Sequence, residues 1–171
     1  MIIGRPGSGK TVFSEKLEKL TGRKVTHLDK YYWKPDWVKA HTSEGFKEKV
    51  SELAAGDEWI IDGDFRSSID VRLDKADAVV FFDFPAWKSV YGVYKRRFFG
   101  DKDIVNVHPG MIDRVSLKLL QAIVSYDTKR VYKMLSETKG KKIFIIKSRE
   151  EGRKVLDEVV YIKPERGLHR T

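Results

Sequence analysis

An α/β fold, with five parallel strands in one sheet and helices on both faces, is what this sequence predicts. Three observations carry that expectation. Short apolar runs alternate along the chain with segments whose apolar residues recur at helical spacing. The run Ala78 to Phe82 is unbroken by polar residues, which suits a strand covered on both sides. A glycine-rich turn separates the first apolar run from the first helical segment. The chain has 171 residues. That length suits one domain spanning 1–171, and no repeat, low-complexity block or linker divides it.

The elements follow in order. Met1 to Ile3 make a very short first strand before Gly4. Phe13, Leu17 and Leu20 mark a helix from Lys10 that Gly22 ends. Val25 to Leu28 is the second strand, closing at Asp29. Residues 31–42 hold Tyr31, Tyr32, Trp33 and Trp37 around Pro35 and read as a structured loop. Phe46, Val50 and Leu53 make the next helix, with Ser43 as its cap and Gly56 as its stop. Trp59 to Ile61 is the third strand and Ala78 to Phe82 the fourth. Pro85 opens a helix whose apolar stripe is Trp87, Val90, Tyr91, Tyr94 and Phe98. Residues 99–110 read as a connection. A long helical stretch from 111 to 137 follows, weakened in the middle at Ser125 to Thr128. Ile143 to Ile146 is the fifth strand, a helix covers about 150–159, and the basic tail beyond Pro164 reads as a solvated end.

Composition narrows the function. There is no cysteine, so disulfides, thiolate metal sites and cysteine catalysis are excluded, and a reducing cytoplasm is the expected compartment. No run approaches the ~18 apolar residues of a membrane span, and no signal peptide is visible. Lys and Arg number 34 against 25 Asp and Glu, a formal net charge of +9. That surplus favours polyanionic partners: nucleotides, nucleic acid or anionic lipid.

Gly4-Arg5-Pro6-Gly7-Ser8-Gly9-Lys10-Thr11 matches GxxxxGK followed by Ser or Thr, the P-loop pattern. Glycines let successive backbone N–H groups face a triphosphate, and the helix start adds its positive dipole end. Gly7, Ser8, Gly9, Lys10, Thr11 and Val12 are therefore the expected nucleotide-binding residues. Lys10 reaches the outer phosphates and the Thr11 hydroxyl ligates Mg²⁺. The form GxPGxGKT resembles small-molecule and nucleotide kinases of the adenylate kinase and shikimate kinase type.

Ligands of open parallel sheets bind beyond the carboxyl ends of the strands. Asp29 and Asp62 fall there. Asp62 is expected to act on the metal through water and on the acceptor. Asp29 is expected to orient the acceptor or take its proton. Asp64 and Asp83 also lie near strand ends and are weaker candidates that read first as surface or capping residues, and His27 reads as a core or edge histidine. Arginine forks bind phosphate bidentately. Arg66 and Arg72 are candidates for an anionic acceptor. Lys95-Arg96-Arg97 and Arg114 flank a candidate lid over 95–114, with Arg97 as its catalytic candidate. Lys147-Ser148-Arg149 is a candidate adenine wall. The aromatic loop either stacks on a planar acceptor, Trp33 included, or packs onto the sheet.

Several segments together resemble a known family. These are His27-Leu28-Asp29 with Trp33, Pro35 and Trp37; Trp59-Ile60-Ile61-Asp62-Gly63 with Arg66 and Arg72; Ala76-Asp77 leading to Phe82-Asp83-Phe84-Pro85; and Lys95-Arg96-Arg97. With the glycine-rich loop, they resemble the DNA topology modulation proteins, adenylate-kinase-related P-loop kinases, from Gly4 to about Arg149. The resemblance implies a three-layer P-loop NTPase fold of nucleoside- or nucleotide-kinase type, with a substrate region near 30–58 and a lid. The segment at Asp62-Gly63 resembles the LDGFPR segment of adenylate kinases, which implies that Asp62 lies near the metal and that Gly63 and Arg66 meet the acceptor. Asp64 stands where the family usually has Asn. The expected activity is ATP- and Mg²⁺-dependent phosphoryl transfer to a nucleoside, nucleotide or other small acceptor. The rival expectation is a nucleotide-binding, DNA-associated regulator without turnover.

Overall fold

The structure, a computed structural model, describes residues 1–34, 38–99 and 115–161. Most of the expected lid (100–114, with Arg114), the stretch Pro35 to Trp37, the start of the 111–137 helical stretch and the basic tail lie outside the described residues.

Among them, five strands form one parallel sheet: β1 (Ile2–Gly4), β2 (Val25–His27), β5 (Ile60–Asp62), β6 (Ala78–Phe82) and β7 (Lys142–Ile146). Their spatial order is β2-β5-β1-β6-β7, so β1 is central. Every neighbouring pair is parallel, with Ile2 opposite Asp62 on one side and Val80 on the other. The chain leaves β1 toward β2 and β5, then crosses back to β6 and β7. Such a change of direction opens a crevice at the carboxyl end of the central strand.

Alternate residues of the central strands divide the core. Ile2, Val80 and Phe82 face Phe13 and Leu17 of α1 (Lys10–Thr21) and Leu156 of α8 (Arg149–Val160). Ile3, Val79 and Phe81 face Val131 and Leu135 of α7 (Thr128–Glu137). A two-residue side-chain period with apolar residues in both phases dictates this three-layer arrangement. Fully burying each such side chain is worth about 1.5–3 kcal/mol. A third cluster seats Phe46, Val50 and Ala54, from α3 (Ser43–Leu53) and its end, on Ile61 and Leu28.

Several local expectations change. The second strand ends at His27, and Asp29 instead opens a single helical turn, α2 (Asp29–Tyr32). The loop after it contains a short antiparallel pair, β3 (Trp33–Lys34) and β4 (Val38–Lys39). Thr42, not Ser43, caps α3: its hydroxyl accepts the Gly45 N–H at 3.1 Å. The segment after Asp62 carries a 3-10 turn (Arg66–Ser68) and α4 (Ile69–Lys75), neither of which the apolar periodicity predicts. The weak point at 125–128 does divide two helices, α6 (Leu117–Val124) and α7, with Asp127 capping the second. Among the described residues no helix is long and apolar enough to cross a membrane.

The largest correction concerns α5 (Ala86–Phe99). The apolar stripe expected to be its buried side is mostly outside. Trp87 is 67% exposed, Tyr91 59%, Tyr94 41% and Phe98 70%. The side that packs inward is Ser89, Gly92 and Val93, and it packs on Gly7 of the glycine-rich loop. A Cβ on Gly92 would stand 2.2 Å from the Gly7 carbonyl oxygen, and one on Gly7 would stand 2.3 Å from the Ser89 carbonyl oxygen. Backbone meets backbone here, so small residues win over aromatic ones.

Gly92→Ala is therefore expected to destabilise the fold by about 1–3 kcal/mol, the usual cost of overpacking, in urea denaturation. Gly152, in α8, is the counter-case. A Cβ there would meet Ile146 Cγ2 at an ordinary 3.5 Å. Gly152→Ala should stabilise by about 0.4–1 kcal/mol in the same measurement.

Candidate functional site

The site forms at the carboxyl end of β1, from the loop 4–11 and the ends of β2, β5 and β6. Three loop glycines take positive φ: Gly4 at 139°, Gly7 at 76° and Gly9 at 93°. On its closed side the loop rests on α5. On its open side a Cβ at Gly9 would meet nothing within 4 Å. Gly9 also caps α1, with no side-chain hydrogen bond and no acidic residue in the first turn. By contrast α3, α6, α7 and α8 are capped by Thr42, Ser116, Asp127 and Ser148. The free donors of an uncapped helix start suit an anion.

Lys10 is half-buried, and its ammonium donates across the loop to the Arg5 carbonyl at 2.8 Å. Ser8 is buried, and its hydroxyl has no hydrogen-bond partner among the described residues. Val12 is exposed on the outer side of α1. The Thr11 hydroxyl donates to Asp62 Oδ2 at 3.4 Å.

Asp62 is the centre of the site. It is 4% exposed, and three side chains converge on its Oδ2: Thr11, Ser14 at 3.5 Å and His27 Nδ1 at 3.1 Å. Its other oxygen, Oδ1, is buried with no partner. A buried carboxylate oxygen without a donor is costly unless something else meets it. The register explains the convergence, because His27 is the direct partner of Asp62 across β2 and β5. His27, expected as a core or edge histidine, thus belongs to the site. So does Ser14, which sequence reasoning passed over although it lies one helical turn beyond Lys10.

Asp29 follows directly. The Leu28 N–H donates to the Asp62 carbonyl at 2.9 Å, so the residue after it sits beside the same strand end. Asp29 is open to solvent along one side. Its carboxyl is otherwise crowded by protein. That desolvation, reinforced by the charge of Asp62, pushes its pKa above the ordinary aspartate value, with Lys10 and Arg96 opposing. Arg96 rather than Arg97 is the α5 cation felt there. Arg97 is exposed on the last turn of α5.

Arg72 does not stand where an acceptor could reach it. It is fully buried, and its guanidinium donates to the carbonyls of Gly63 (2.6 Å), Asp64 (2.9 Å), Phe65 (3.3 Å) and Ser68 (3.3 Å). Burial pulls its pKa down to about 10, which still leaves it charged at neutral pH. The turn it holds is an unusual one. Gly63 has φ 141°, and Phe65 takes φ 20° and ψ 78°, outside the favoured regions for a bulky residue. The expected role of Arg72 on the acceptor is replaced by the support of this turn. Gly63 is buried within it.

The turn presents Asp64 and Arg66. Asp64 is no surface cap: its Oδ1 accepts the Tyr126 hydroxyl at 2.6 Å and the Gly4 N–H at 3.3 Å, and its Oδ2 lies 3.6 Å from Arg66 Nε. Two guanidinium groups lie over the Tyr126 ring, Arg66 at 4.9 Å and Arg5 at 5.3 Å from its centroid. Arg5 is buried and also donates to the Phe84 carbonyl at 3.0 Å. Burial and the Asp64 charge push the Tyr126 phenol well above its usual range. Asp83 likewise accepts the Tyr132 hydroxyl at 2.6 Å. In the aromatic loop, Tyr32 packs edge-on against Trp33 and Phe46 and against Phe65. That is the packing alternative. Trp33 is half-buried beside it. Arg149 is exposed in the first turn of α8, next to the Ser148 cap.

The chain matches no known family model and no curated protein.

Two outcomes follow for stability. Arg72→Met should leave four carbonyls without their donor and cost on the order of 3 kcal/mol or more by denaturant titration. Asp29→Asn should act in the opposite direction. A raised carboxyl pKa means that ionising Asp29 disfavours the fold at neutral pH. The neutral variant should thus be more stable than the parent at pH 7. The gain should vanish as pH falls below the ordinary aspartate pKa of about 3.8, where the carboxyl is protonated folded or unfolded.

Proposed function

We propose that this chain is a P-loop kinase that transfers the γ-phosphoryl group of Mg·ATP to a small acceptor. The observation that supports it best is one juxtaposition. A GxxxxGKT loop with positive φ at Gly4, Gly7 and Gly9 leads into an uncapped helix, and its Thr11 faces a buried strand-end carboxylate, Asp62, with an unpartnered oxygen. The residues fit the group they would hold.

In this reading the loop N–H groups and the start of α1 bind the phosphates, Gly7, Ser8 and Gly9 giving the backbone room. Lys10 exchanges the Arg5 carbonyl for a phosphate oxygen. The Thr11 hydroxyl and, through water, Asp62 would hold Mg²⁺, which would supply positive charge toward the phosphates. Val12 and Arg149 flank the nucleotide. Asp29, Trp33, Gly63 and Arg66 form the acceptor side, and Arg97 adds a cation from the end of α5. The resemblance to adenylate-kinase-related proteins supports the same reading, including ATP as donor.

The rival reading, a DNA-associated regulator, drew on the net charge and the aromatic loop. The packing of Tyr32 on Phe46 and Phe65 takes one of the expected stacking surfaces out of that argument.

Lys10→Ala tests the proposal. It should lower ADP formation from Mg·ATP by at least ~100-fold, the scale of losing one charge-stabilising donor, and leave the circular dichroism spectrum unchanged. Full turnover in the folded variant would refute the assignment.

A further inference from the structure

We infer that the acceptor reacts through a neutral hydroxyl group, as in a nucleoside or other polyol, rather than through a phosphate, and that Asp29 is the base that takes the hydroxyl proton. The inference deepens the kinase reading and rests on it.

Charge and placement argue for it. Three carboxylates gather at this end of the sheet: Asp29 just after β2, Asp62 closing β5 and Asp64 two residues on. Among the described residues, the cations closest to that side are otherwise engaged. Arg72 is fully buried among four carbonyls. Arg5 is buried and donates to the Phe84 carbonyl. Arg66 shares its charge with Asp64 and lies over the Tyr126 ring. Lys10 belongs to the donor phosphates. Lys30 stands exposed on α2 next to Asp29, and Arg96 of α5 offsets the Asp29 charge. Arg97 stands exposed on the last turn of α5 and is not among the charges felt at Asp29, so among the described residues a phosphate dianion entering this side would meet Asp29 with little free positive charge behind it. A hydroxyl would meet a carboxylate able to accept its hydrogen bond.

The two acceptor classes also need different chemistry. A phosphate oxygen is already ionised and needs no base. A hydroxyl must lose its proton as it attacks. Its oxygen forms the bond to the γ-phosphorus. The bond from that phosphorus to the bridging oxygen breaks, and its electron pair leaves with ADP. The proton passes to Asp29, whose solvent-open side returns it to water.

Water and inorganic phosphate are sufficient probes, because water is itself a hydroxyl acceptor. Mg·ADP affinity is measured by calorimetry for the wild type, Asp29→Asn and Asp29→Ala. Slow hydrolysis of Mg·ATP and the binding of inorganic phosphate to the Mg·ADP-saturated protein are measured beside it. The inference expects equal Mg·ADP affinity in all three, hydrolysis at least ~10-fold slower in both variants, and phosphate binding that is weak in the wild type and several-fold tighter once the charge is gone. Unchanged hydrolysis, or tight phosphate binding that Asp29→Asn leaves as it was, overturns it and leaves the kinase reading standing. Absence of Mg·ADP binding in the wild type overturns both.

Discussion

The arrangement depends on a contact between two backbones. Gly7 of the loop and Gly92 of α5 approach so closely that neither can carry a side chain. A loop with three left-handed glycines has little intrinsic preference for one shape, since glycine gives up much conformational freedom when fixed. The supports on its closed side supply that shape: the α5 backbone behind Gly7, the Asp64 carboxylate on the Gly4 N–H, and Arg5 anchored to Phe84. The open side is thereby left free. The aromatic residues of α5 lie outside for the same reason, because nothing larger than Ser, Gly or Val fits where helix and loop touch.

A second tier of order surrounds Asp62 and the turn after it. Parallel pairing of β2 and β5 brings His27 to Asp62, and the start of α1 brings Thr11 and Ser14. On the other side of the strand end, Arg72 holds a turn that its own dihedral preferences would not favour. Unfavourable backbone of that kind persists where surrounding bonds over-determine it, and such places cluster at working sites. Tyr126 then links the turn to the loop through Asp64 and Arg5. The glycine-rich loop and the turn after β5 are in this way parts of one hydrogen-bonded frame.

Much of this was legible in the chain. The strands were, since unbroken apolar runs such as Ala78 to Phe82 admit few other readings. The loop was, because glycines crowded between an apolar run and a helical one mark a tight turn there. Asp62 and Asp29 were, from their place after strands. What escaped has common physical causes. Arg72 reads in sequence as a cation for an anionic acceptor, and only the three-dimensional turn reveals four carbonyls within its reach. Tyr126 is far from Asp64 along the chain, so no local pattern links them. The α5 stripe misled because hydrophobic periodicity assumes that the apolar side packs. Here the need for close backbone approach, announced only by Ser89 and Gly92, prevailed. Helix α4 was missed because its buried member is an arginine.

The Arg72 clamp also bears on the order in which the chain assembles. All four of its acceptors lie four to nine residues away in sequence. Closing loops of that size costs little entropy, whereas bringing β1 against β5 and β6 must close loops of many tens of residues. The turn and α4 therefore form a local unit that can organise early. The shape of the segment that follows β5 is then set within one short stretch of chain, ahead of the sheet that it comes to border.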